Sequence, residues 1–105
     1  MNEQKIQEMQ ILEQRLQNSL LQKQAFQMEL AETDSAMKEL EKSGEEVYKI
    51  IGQLMIKAEK GKIQEELSGK QRILELRIKT LEKQENSLSE QLGKLRDEIT
   101  KSVKK

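Results

Sequence analysis

The chain has 105 residues, room for one small domain, and its 34% hydrophobic content, with one Phe, one Tyr and no Trp, is too little apolar material for a compact globule. It has no His and no Cys, which excludes a zinc site, a Cys/His nucleophilic pair and any disulfide framework. Its 19 basic and 19 acidic residues cancel, which argues against nucleic acid as the main partner, and no apolar run approaches the length needed to cross a membrane.

The N-terminus, Met1-Asn2-Glu3-Gln4-Lys5, lacks the charged and apolar regions of a signal peptide, and a cytoplasmic location is expected. Seven-residue periodicity starts at about Ile6 and continues to Lys42. Placing a at Met9, Leu16, Lys23, Leu30 and Met37 puts Leu12, Ser19, Phe26, Thr33 and Leu40 at d. Seven of those ten positions are apolar, a coiled-coil seam with polar interruptions at Ser19, Lys23 and Thr33 that can fix register. The Gln-rich start, including Gln10, Gln14 and Gln17, reads as good helix-forming material. The first helix is expected over 1–43. Gly44 then suits the left-handed residue that closes a helix.

A short island interrupts the heptads. Val47 and Tyr48 through Ile51 read as one strand, Leu54 through Ala58 as the next, with Gly52 at the turn, so a hairpin is expected over 47–58. Ile50, Ile51, Leu54, Met55 and Ile56 put apolar groups on both faces. A strand of that kind is normally covered on both sides, and one thin chain cannot supply the cover. A lone hairpin is marginal in water and its open edges invite pairing. The hairpin is therefore expected to join subunits, through Val47, Tyr48, Ile50, Ile51, Gly52, Leu54, Met55 and Ile56. Tyr48 suits an interface hot spot and equally a packed strand aromatic.

The second helix is expected over 61–105, with Gly61 as N-cap and Gln64 three residues on. Its seam has d at Leu67, Leu74, Leu81, Leu88 and Leu95 and a at Gln71, Ile78, Glu85, Leu92 and Ile99, eight of ten apolar. Gly69 and Gly93 fall on outward positions. Because the hairpin reverses the chain, the arms are expected to pair antiparallel with both termini at one tip. The fold class is mainly α: a long antiparallel two-helix coiled coil whose central β-hairpin joins an oligomeric β-barrel.

The order helix, Val47-Tyr48-Lys49-Ile50-Ile51-Gly52, Leu54-Met55-Ile56-Lys57, helix resembles the prefoldin β family. The likeness covers essentially the whole chain, and the Val-Tyr-Lys-x-x-Gly stretch is its specific part. It is strongest to the archaeal type, which is related to eukaryotic prefoldin subunit six. The resemblance implies a hetero-hexamer of two α and four β subunits, with hairpins joined in a double barrel and coiled coils hanging from it. It also implies capture of unfolded polypeptide at the tips without ATP and delivery to a group II chaperonin. Many members continue beyond the second helix, whereas this sequence stops at Val103-Lys104-Lys105.

Ile6, Met9, Ile11 and Leu12, facing Leu92, Leu95, Ile99 and Val103, are the candidate client surface at a fraying tip. The seam members of that set also have an ordinary packing role. Ile11, Leu21 and Met28, with Ile6 and Leu20 on the flank, lie outside the seam and lack that explanation. Ile73 and Leu76, with Ile63 beside them, are expected to pack on the barrel or a neighbouring subunit. Lys101, Lys104 and Lys105 could steer docking on an acidic partner, or form a solvated helix end. The carboxylates lie on solvated faces among Lys and Arg, and the five glycines form no phosphate-binding loop. No catalytic residue, cofactor or metal is therefore expected. The alternative to a chaperone is a structural coiled-coil spacer that binds no client. A coiled-coil finger with a working acidic tip at Glu45-Glu46 is disfavoured, because 47–58 is too apolar for an exposed tip.

Overall fold

A computed structural model describes residues 2–103, with side chains from 3 to 101. Lys104 and Lys105, and the side chain of Val103, lie outside the described residues. The element order is α1 (Asn2–Lys42), β1 (Glu46–Ile51), β2 (Leu54–Glu59) and α2 (Lys60–Val103). Among the described residues, no helix is long and apolar enough to cross a membrane.

The heptad frame fixes which side of each helix is covered. Every a and d position from Met9 to Leu40 on α1, and from Leu67 to Ile99 on α2, is buried or half-buried. The chain forms two compact units, each a pair of helical segments. One holds residues 2–25 with 77–103, the other 26–76 with the hairpin.

In the first unit Leu81, Leu92 and Leu95 are buried, and Met9, Leu12, Leu16, Leu88 and Ile99 are half-buried. Lys5 lies 3.5 Å from Glu98 at the rim. Lys23 and Glu85, the charged seam residues of the two helices, meet across the interface at 3.0 Å with less than a fifth of either side chain exposed. Glu85 Oε1 and the hydroxyl of Ser19, the seam position one turn before Lys23, have no hydrogen-bond partner. An open groove of about 380 Å³ passes Ser19 between Arg15 and Gln84.

In the second unit Leu74, 2% exposed, and Leu40 are the most enclosed apolar side chains. Polar seam positions find partners here too. Gln71 Nε2 donates to Asp34 Oδ1 at 2.8 Å. Thr33 Oγ1 donates to the Glu29 carbonyl at 2.8 Å within its own helix.

The helix boundaries differ from expectation in two places. Gly44 does not take the left-handed conformation, since Gly52 is the glycine with positive φ among the described residues. Ser43 closes α1 instead: its N–H donates to the Glu39 and Leu40 carbonyls at 3.1 and 3.2 Å, and its hydroxyl donates to the Leu40 carbonyl at 2.7 Å. These bonds satisfy orphan carbonyls without a left-handed residue. Gly61 is not the N-cap, because α2 begins at Lys60 directly after β2. Lys60 Nζ also donates to the Ser43 carbonyl at 2.9 Å, joining the start of α2 to the end of α1.

The strands pair antiparallel with Ile51 opposite Leu54, leaving a two-residue turn at Gly52-Gln53. Gly52 has φ of 59°, at the position where a type II′ turn takes glycine. Each strand is one residue longer at its outer end than expected, adding the pair Glu46–Glu59.

Two outcomes check this account. Glu85→Leu alone strands the Lys23 ammonium in the seam and should lower stability by roughly 3 kcal/mol, whereas Lys23→Leu with Glu85→Leu should recover that loss or more, read by thermal unfolding of the helical circular dichroism signal. Gly93→Ala should stabilise by up to ~1 kcal/mol, since a Cβ there meets open space. Gly52→Ala, with equal space but a left-handed backbone, should destabilise.

Candidate functional site: an uncovered hairpin and outward apolar residues

The pairing register sorts the hairpin into two faces. Val47, Lys49 and Ile51 share one with Ala58, Ile56 and Leu54; Tyr48 and Ile50 share the other with Lys57 and Met55. Only Val47, Lys49 and Ala58 are half-buried, all on the first face. Lys49 Nζ lies 2.9 Å from Glu66 Oε2 on α2. That exposed pair orients the root of the hairpin more than it stabilises it.

The rest of the hairpin is bare. Ile50 is 70% exposed, Met55 68% and Leu54 65%, and Tyr48, Ile51 and Ile56 are exposed as well. The sheet has two strands, so the outward edge of each is unpaired within the chain. Beside β1, a groove of about 630 Å³ runs between the end of α1 and the start of α2, floored by Leu40, Val47, Ile63 and Leu67. Apolar groups on two faces, open backbone edges and an adjoining apolar groove are what a shared sheet would cover.

The comparisons agree with this geometry. The Prefoldin subunit family profile matches residues 3–105. The chain belongs to the prefoldin subunit family. It is 42% identical over 92 residues to a prefoldin subunit beta of Pyrobaculum neutrophilum, covering 86% of this chain and 73% of that protein. It is 40% identical over 94 residues to one of Thermococcus onnurineus, covering 88% and 81%. The crystal structure of the prefoldin beta subunit from Thermococcus strain KS-1 superposes with a TM-score of 0.90 at 34% identity, covering 99% of this chain and 93% of that one. Prefoldins are oligomeric chaperone subunits with coiled-coil helices, and the two long helices with a central hairpin are that fold.

The expected tip residues divide. Ile6 and Ile11 are exposed, Met9, Leu12 and Ile99 half-buried, and Leu92 and Leu95 buried. The structure brings the last five into one seam, so in the closed arm only Ile6 and Ile11 of the described set face water. Leu20, Leu21 and Met28 on α1, and Ile73 and Leu76 on α2, are exposed outside the seam. Ile63 is half-buried at the hairpin root. Spacing alone does not reveal the polar cross-links Lys23–Glu85 and Asp34–Gln71, because each joins residues far apart in the chain.

Ile50→Asp with Met55→Asp puts two like charges opposite each other on the exposed face. The helices should keep their circular dichroism signal, while the mass in solution falls from the assembled to the subunit value by light scattering.

Proposed function

We propose that this chain is one prefoldin-like domain acting as an ATP-independent holdase: it captures unfolded polypeptide at its coiled-coil tip and hands it to a group II chaperonin. The hairpin residues Val47, Tyr48, Ile50, Ile51, Gly52, Leu54, Met55 and Ile56 knit it to a prefoldin α subunit and further β copies in an α2β4 hexamer in the cytoplasm. The observation that carries this reading is the bare, two-faced apolar hairpin in a chain of the prefoldin family. The hairpin belongs to one compact unit and the terminal segments to the other, so joining subunits through the hairpin does not use the residues of the terminal unit.

Client capture is supported by apolar side chains without a seam role in the unit that bears the termini. Ile6 and Ile11 are exposed there in the closed arm. Fraying of the last turns would add Met9, Leu12, Leu92, Leu95 and Ile99. A passive spacer needs none of these outward groups.

Replacing Ile6, Ile11 and Val103 by Ser should leave the assembled mass unchanged and weaken suppression of aggregation of a guanidinium-unfolded protein, followed by turbidity. Full suppression by this variant would remove the tip from the mechanism. A parent protein that suppresses nothing would leave the spacer reading standing.

A further inference from the structure

The seam of the terminal unit is not uniform. Its helices run antiparallel, with Lys5 beside Glu98 and Lys23 beside Glu85. That register sets Met9 opposite Ile99, Leu12 opposite Leu95 and Leu16 opposite Leu92, apolar layers in succession. The next layer sets Ser19 opposite Leu88. A serine side chain does not fill the space a leucine would, and the groove of about 380 Å³ has both residues in its wall. Ser19 is 6% exposed and its hydroxyl has no partner. The layer after that is the enclosed Lys23–Glu85 pair, in which Glu85 Oε1 is likewise unpaired. Further along, the seam positions are apolar again, Phe26 and Leu30 on α1 and Leu81 and Ile78 on α2.

We propose that the terminal unit opens in a single step that runs from its ends through the Lys23–Glu85 layer and halts there, so that 2–23 and 85–103 separate as one block. This opening is a property of the free arm and goes beyond the function proposed above. Separating an apolar layer exposes its side chains to water and costs free energy. Separating the two polar layers does the reverse for their orphaned atoms. The Ser19 hydroxyl and Glu85 Oε1 gain water as a partner, and two enclosed charges regain their hydration. The cost of opening therefore climbs as far as Leu16 and Leu92, falls back over the two polar layers, and climbs again at Phe26 and Leu81. A dip between two climbs is where a partly open state collects. A seam of uniform leucine layers has no such stopping point and only frays from its ends. Once apart, neither segment keeps its helix unaided, since isolated helices of this length are marginal in water. Asn86, Ser87, Ser89 and Gly93 weaken the α2 segment further. The backbone amides of the block are therefore released together, which makes the step visible to hydrogen exchange.

The full chain, in the assembly it forms, is followed by hydrogen exchange and mass spectrometry of overlapping peptides. Amides throughout 2–23 and 85–103 should share one opening constant, at least about tenfold larger than in 26–40 and 67–81. Ser19→Leu fills the gap with an apolar side chain, and Lys23→Leu with Glu85→Leu replaces the charged layer by an apolar one. In either variant, amides from Ser19 to Lys23 and from Glu85 to Leu88 should gain about tenfold protection while those near Met9 and Ile99 keep theirs, so that the step becomes a gradient. A parent whose protection already falls steadily toward the chain ends overturns the proposal. So does a parent step that survives in both variants. If Ser19→Leu overpacks and lowers protection throughout the unit, the double variant decides. Exchange reads the arm alone, so either failure leaves the function proposed above standing.

Discussion

A pair of helices can hide only one stripe of each, and this chain is organised around that limit. The a and d positions from Met9 to Leu40 and from Leu67 to Ile99 are covered by the opposing helix, while nearly all outward positions stay in water. Among the described residues no second layer exists to bury anything more. Apolar residues elsewhere, on the hairpin and on the outer faces of the arms, must therefore be exposed until something outside the chain covers them.

The two exposed groups are of different kinds. On the hairpin, apolar side chains coincide with unpaired backbone edges and a fixed register, which suits a specific, repeated partner that adds strands. On α1, Ile11 and Leu21 are separated by amides on a closed helix with no free backbone edge. Such a surface offers weak, adaptable contacts and no template.

The seam carries its own information. A seam of leucines alone would tolerate sliding by a heptad, since one Leu would replace another. Lys23 and Glu85 remove that freedom, because a shift would leave each charge facing an apolar neighbour. The pair is therefore better understood as specifying alignment than as adding net stability, in keeping with the desolvation cost of enclosed charges. Gln71 with Asp34 plays the same part in the other unit with a neutral donor.

Much was legible in the linear pattern. Periodicity marked the covered side of both helices, and the clustering of Val, Tyr and Ile around Gly52 marked the hairpin and its turn, because burial and backbone freedom are properties of single residues in a local frame. Which polar residues meet was not legible: Lys23 and Glu85 are far apart in the chain, and only the alignment of two helices brings them within reach. The end of α1 was decided by a hydroxyl reaching a carbonyl at Ser43, a contact that composition does not distinguish from the glycine beside it. The division of the tip residues into Leu92 and Leu95 inside and Ile6 and Ile11 outside also came from the packed pair, because coverage depends on what the opposite helix places against each position.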